Sequence, residues 1–236
     1  MDEGNGLIVY PLEEEVDELV VSLRDRCLQR LVDHSRLNLE VQGYLVSSIY
    51  RKDLLLLGIT TASIGDAQSV SIDDSYFPLQ NEFLRRAKLE IPSLTTVLYH
   101  NHPRIDVSQL DKKTVKFLEE CILEGIYGYL RDYGIEPTLE NVATEELTRQ
   151  LSEDDIIPTF GRVSVLLTDT PRESDDFSRI NAYRVRQGCY PFFERLKVVS
   201  LESKSIEYIK TYKELTDKID EIYWETCQDF GMFERK

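Results

Sequence analysis

Two prolines bracket the segment that most restricts how this chain can fold. Between Pro92 and Pro103, the residues Thr95, Thr96, Val97 and Leu98 are β-branched or apolar, and the pattern predicts a short strand from Leu94 to Tyr99. The strand runs out into Tyr99-His100-Asn101-His102-Pro103, with Ser108-Gln109-Leu110-Asp111 close behind. Side chains at i and i+2 of a strand leave the same face, so the imidazoles of His100 and His102 are expected to point together at its end. They are two of the chain's 3 histidines.

A zinc ion held for catalysis takes three protein ligands and keeps a fourth position for water, and it accepts imidazole nitrogen and carboxylate oxygen readily. Asp111 is a suitable third ligand. It falls in the first turn of a helix expected from about Gln109 to Leu123, where Leu110, Val115, Leu118 and Ile122 suit a buried stripe. The same residues also read as an ordinary helix start, with Ser108 as N-cap and Asp111 at a position favoured by the macrodipole. His-x-His alone is a weak signal; its conjunction with Pro103 and the serine-aspartate pair points to a metal.

These residues resemble the JAMM signature of the MPN (JAB) metalloprotease family, a distant glutamate, then His-x-His-Pro, then Ser-x-x-Asp. Upstream, Glu40-Val41-Gln42-Gly43-Tyr44-Leu45 is similar to the family's Glu-x-x-Gly-x-Leu strand, which carries its catalytic glutamate. Downstream, Val163 to Leu167 and Ile180 to Val185 resemble the strands that follow the metal helix. The resemblance spans roughly residues 6 to 200. It implies an α/β (α+β) fold of the MPN/JAB-like, cytidine-deaminase-like type, a curved mixed sheet flanked by helices. Two positions depart from the pattern. Only Pro103 to Val107 separate the second histidine from the serine, where the family usually has seven residues, and Asp106 therefore competes with Asp111 as third ligand. Ser47 stands where many members close the first strand with glycine. Amidohydrolase, PHP-type and HNH sites would need further histidines, and only His34 remains.

The resemblance also implies roles. His100, His102 and Asp111 would bind Zn²⁺. Glu40 would take the proton of a bound water and return it to the leaving amine, and Ser108 would steady the oxyanion. The implied enzyme is a zinc-dependent isopeptidase acting at the tail of a ubiquitin-like protein or its conjugate. The alternatives are a catalytically inactive MPN scaffold for protein assembly and a JAB-fold zinc hydrolase on another substrate. Without the downstream motif, Glu40 reads as a solvent-facing glutamate starting a strand.

A formal charge of −15 over 236 residues argues against nucleic acid as partner, because phosphate recognition is carried by clustered Lys and Arg. Cys27, Cys121, Cys189 and Cys227 are widely spaced, which suggests neither a zinc ribbon nor a redox dithiol, and Cys27 and Cys121 read as core residues. No apolar run approaches the ~20 residues of a membrane span, and the acidic start lacks the features of a signal peptide. A cytoplasmic protein with no membrane partner is expected.

The expected organisation is a metalloprotease domain over 1–200, with an insertion around 127–158, and a C-terminal helical extension over 201–236. Within it the pattern predicts a strand Leu7 to Leu12, a helix Glu13 to Val32, and a hairpin of Glu40 to Tyr50 and Leu54 to Thr61 across Arg51-Lys52-Asp53. Further helices are expected over Phe83 to Leu89 and Leu139 to Leu151, with an acidic loop over Thr168 to Phe177. From Ser205 to Cys227, Ile206, Ile209, Tyr212, Ile219 and Ile222 form an apolar stripe that would dock on its own domain, or else receive a partner protein together with Trp224, Phe230 and Phe233.

Overall fold

The computed structural model describes residues 7–12, 14–22, 26–37, 39–64, 75, 77–102, 106–133, 136–148, 163–168, 180–186 and 192–232. Among them seven strands are present: β1 (Glu18–Val21), β2 (Val41–Tyr50), β3 (Asp53–Ile64), β4 (Leu94–His102), β5 (Val163–Thr168), β6 (Ile180–Arg186) and β7 (Phe192–Ser200). The described helices are α1 (Arg26–Ser35), α2 (Phe77–Glu90), α3 (Lys112–Leu123), α4 (Leu139–Thr148) and α5 (Ile206–Asp229). None is long and apolar enough to cross a membrane.

The strands join in the order β1-β3-β2-β4-β5-β6-β7 and close into a barrel. This overturns the expected MPN/JAB-like curved mixed sheet flanked by helices. The closing piece is β1, which pairs in parallel with both β3 and β7. Sequence pattern assigned Glu18 to Val21 to a helix running from Glu13 to Val32, because Val16, Leu19, Val20 and Leu23 also fit helical spacing, and it placed no strand at Phe192 to Ser200. Short apolar runs are ambiguous in this way. Leu19, Val20 and Val21 are all buried, and burial of three such side chains is worth on the order of 5 kcal/mol or more. Helix propensity differs by at most about 0.7 kcal/mol per ordinary residue, so burial decides.

Alternation along the strands divides the apolar residues into two clusters. Leu19 and Val21, Leu54 and Leu56, Val97 and Tyr99, and Val163, Val165 and Leu167 share one cluster, which also takes Leu31 and Val32 of α1. Val20, Leu55, Leu57, Val46 and Leu94 face the other way and pack with Phe83, Leu84 and Ala87 of α2 and Tyr212, Ile219 and Ile222 of α5. The C-terminal helix is thus seated on its own chain. Phe83 meets Tyr223 edge to face at 5.3 Å, and Arg86 of α2 pairs with Asp229 of α5 at 2.8 Å. Ile206 and Ile209, expected in the buried stripe, lie exposed at the start of α5, and Trp224 and Phe230 are half-exposed; Phe233 is outside the described residues.

A third, smaller cluster joins Leu118 and Cys121 of α3 to Tyr127, Leu130, Val142 and Ala143. The described part of the expected insertion is therefore a packed unit with its own core. The segment around Tyr10, expected as a strand, is not one; it is latched to β4 by Thr96 N–H donating to Tyr10 O at 2.9 Å and Thr95 Oγ1 to the same oxygen at 2.7 Å. The acidic loop lies almost wholly outside the described residues.

The predicted hairpin is present, and its two-residue turn places Arg51 and Lys52 at φ 51° and 69°. Both centres of such a turn need the left-handed region, where asparagine and glycine are the usual occupants. Arg51 gains partial compensation by pairing with Glu207 at 2.8 Å and lying over the ring of Tyr50, whereas Lys52 is simply exposed. Lys52→Gly is expected to stabilise the fold by about 0.5–1 kcal/mol, read as a higher urea midpoint with unchanged slope.

Barrel closure is fastened by charge. Lys204 Nζ bonds Glu18 Oε2 at 2.6 Å and Asp53 Oδ2 at 2.8 Å, and Lys197 Nζ bonds Glu18 Oε1 at 3.0 Å, so β1, β3 and β7 are joined at one end. The bond from Lys204, with that from Lys197, holds the Glu18 carboxyl below its ordinary pKa against the opposing effect of burial. A depressed carboxylate stabilises the fold above its unfolded-state pKa and loses that contribution as pH falls through the folded value. Urea unfolding from pH 6 down to pH 3 should therefore show stability falling below the ordinary glutamate range, with a shallower fall in Glu18→Gln.

Candidate functional site

Strand β4 continues three residues beyond its expected end, and both histidines are part of it. His100 is paired with Gln42 of β2 on one side and Leu166 of β5 on the other, and only 2 % of its surface is exposed. His102 pairs with Thr168 at the strand's last position. Since Val97 and Tyr99 face the cluster shared with α1, positions 100 and 102 both belong to the opposite face, as the i, i+2 spacing requires.

Glu40 immediately precedes β2. The β2/β4 register runs from Ser48 opposite Leu94 to Gln42 opposite His100. Gln42 and His100 thus pair across the strands at this end, with Glu40 two residues before Gln42 and His102 two residues after His100. Paired positions of such a ladder are neighbours across the strands. This juxtaposition comes from the ladder alone.

The segment after β4 is built around two capping carboxylates. Asp106 caps the 3-10 turn Val107–Gln109, with Oδ1 accepting from Ser108 N at 2.9 Å and from Ser108 Oγ at 2.7 Å. Asp111 is the N-cap of α3, where Oδ1 accepts from Lys113 N at 2.8 Å and Thr114 N at 3.0 Å and Oδ2 accepts from Thr114 Oγ1 at 2.6 Å. This corrects the expected cap: Asp111, not Ser108, is the N-cap of the helix, which begins at Lys112 rather than near Gln109. The side-chain bond from Thr114, and then the backbone bonds, hold the Asp111 carboxyl below its ordinary pKa. It is ionised, as a metal ligand must be, and a carboxylate has about four acceptor sites, so three donors leave room for a fourth partner. The Ser108 hydroxyl points its proton at Asp106 and would have to turn to meet an oxyanion.

Among the described residues no three of His, Cys, Asp and Glu gather as a set that could hold a metal ion. The side chain of His102 and residues 103–105 lie outside that description. The structure thus brings Glu40 and the two histidine positions to one strand end, and supplies Ser108, Asp106 and Asp111 from the next segment without closing a ligand set. As donor types, two imidazoles and an ionised carboxylate fit zinc.

The third histidine is separate from this site. His34 of α1 faces Tyr99 with rings parallel, and the Tyr99 hydroxyl lies 3.2 Å from His34 Nδ1. Burial, only partly opposed by Asp33, lowers its pKa, which favours the neutral ring. Sequence reasoning passed over Asn101, which lies between the histidines and is fully buried. Its signal was available: strand alternation puts position 101 on the interior face, and a buried carboxamide must find partners there.

No protein-family model matches this sequence, and no curated protein does. Among solved structures the chain is similar to the solution structure of protein DSY2949 from Desulfitobacterium hafniense, at 8% identity and TM-score 0.39 over 77% of this chain and 92% of that one. A likeness at this level bears on neither fold nor chemistry.

The capping of α3 by Asp111 can be tested apart from the metal-binding role expected of it. Serine caps helices about as well as aspartate but offers zinc no carboxylate. Asp111→Ser is expected to keep the thermal midpoint near wild type while zinc content falls, whereas Asp111→Ala lowers both; scanning calorimetry and elemental analysis of the same samples separate the two.

Proposed function

We propose that the chain is a zinc-dependent hydrolase of amide or isopeptide bonds, working in the cytoplasm on the C-terminal tail of a ubiquitin-like protein or its conjugate, as the JAMM resemblance implies. The observation that supports the reading is the last β2/β4 pair, Gln42 opposite His100, which lies two residues from Glu40 and two from His102. The reading stands on that local juxtaposition and not on the overall architecture.

In this proposal His100, His102 and Asp111 hold the ion, with Asp106 the competing carboxylate. When bound, zinc would supply Lewis acidity toward the scissile carbonyl and a bound water with a pKa near 7. Glu40 accepts the proton of the attacking water and delivers it to the leaving amine. A carboxylate suits this task because a neighbouring cation favours its ionised form. Ser108, once turned from Asp106, donates to the oxyanion, and its present bond to Asp106 keeps its hydroxyl oriented until then.

A second reading, a catalytically silent assembly scaffold, is favoured by one observation: the Asp111 carboxylate already receives three hydrogen bonds as a helix cap. In that case α5, with Trp224 and Phe230 half-exposed, is the candidate partner-facing element. Metal content and cleavage of a panel of ubiquitin-like fusions, with and without chelator, separate the readings. For the enzyme, Glu40→Gln is expected to lower kcat by roughly 10² to 10⁴ with zinc stoichiometry unchanged. A Glu40→Gln protein cleaving as fast as wild type would remove Glu40 from the chemistry.

A further inference from the structure

We infer that Asn101 is the positioning residue for Glu40, clamping the chain on both sides of that carboxylate. This rests on the reading of Glu40 as the proton-transferring base.

The Asn101 carboxamide makes its hydrogen bonds to one short stretch of chain. Its Nδ2 donates to His34 O at 2.9 Å and to Leu39 O at 3.0 Å, with Leu37 O at a marginal 3.5 Å. Its Oδ1 accepts from Val41 N–H, the first amide of β2. Leu39 and Val41 are the two neighbours of Glu40. One side chain therefore fixes the backbone immediately before and immediately after the residue, through both ends of a planar amide.

The clamp is rigid for physical reasons. Asn101 is fully buried, so water does not compete for its donors and acceptor, and breaking one bond would leave a buried polar group unpaired. Asn101 is also fixed in β4 by pairing with Leu167 of β5. Because it lies between His100 and His102, the strand that carries both rings carries the clamp on its opposite face. Any shift of β4 moves the histidines and Glu40 together. A proton-transferring carboxylate needs its geometry held to a fraction of an ångström, and Glu40 lies outside the β2 ladder that would otherwise hold it.

The carboxamide is needed at both ends. The substitution Asn101→Asp would keep the acceptor for Val41 N–H but face the carbonyls of His34 and Leu39 with no donor; Asn101→Ala would lose both. The test is hydrogen exchange with kinetics on metal-free and zinc-loaded protein for wild type, Asn101→Ala and Asn101→Asp, with Leu84→Ala as a control that loses stability in the opposite cluster. In the metal-free wild type the Val41 amide should be as protected as that of Leu45. In Asn101→Ala its protection should fall at least tenfold while Leu45 changes less than twofold. In the loaded enzyme kcat should fall roughly a hundredfold with KM within about threefold and zinc stoichiometry kept, and Leu84→Ala should leave kcat near wild type.

Wild-type Val41 exchanging at an unprotected rate overturns the inference without any variant having to fold. So does unchanged Val41 protection in Asn101→Ala, loosened exchange with unaltered kcat, or loss of zinc from the variant. If wild type neither binds zinc nor cleaves any conjugate, the hydrolase reading fails by that result alone, positioning for catalysis falls with it, and exchange at Val41 still decides whether the clamp exists.

Discussion

The fold depends on a four-residue strand with partners on both edges. Glu18 to Val21 supplies the parallel ladder to β3 on one side and to β7 on the other, and without it the remaining six strands would form an open sheet with two unpaired edges. Its apolar side chains divide between the two clusters, Leu19 and Val21 toward one and Val20 toward the other, so the same strand ties both cores together. The Lys204 network fastens the strand at the end where Glu18 and Asp53 meet.

A closed barrel fixes the register of its strands, and the candidate site is a consequence of that register. His100 is held between Gln42 and Leu166 with its backbone paired on both edges, so its ring position is set by two ladders. Glu40 gains its position differently. It lies just outside β2, beyond the last ladder pair, and the Asn101 carboxamide takes over where the ladder stops. The carboxylates of the following segment are bound to their own helix starts, which makes that segment locally ordered independently of any ligand.

Elements with strong local signals were legible from residues alone. The hairpin was placed to within a residue, with Asp53 assigned to the turn where it opens β3, because ten-residue and longer strands on either side of Arg51-Lys52 leave few alternatives. The stripe of α5 was legible in the same way, whereas β5 and β6 were expected only through the family resemblance. The histidine pair was legible because strand alternation is a local rule. What was misread is instructive in the same terms. Val16, Leu19, Val20 and Leu23 fit a helical spacing while Leu19-Val20-Val21 is also a short apolar run, and Phe192 to Ser200 mixes apolar residues with Glu194, Arg195 and Lys197 without strict alternation. The ladder that joins them pairs residues roughly 180 positions apart, at a separation where local pattern carries no information. The start of α3 was displaced because Ser108 and Asp111 are both good caps, and only the backbone chose between them.

By itself, then, the amino-acid order determined which short segments could be strands or helices and that two imidazoles would leave one face of a strand, since these follow from periods of about two and 3.6 residues. Closure of the sheet into a barrel, the pairing of the start of β2 with the end of β4, the use of Asp111 as a cap and the burial of Asn101 against the chain around Glu40 were decided only in three dimensions. The reason is that each depends on long-range pairing, whose free energy belongs to the partner as much as to the segment and is absent from either one read alone.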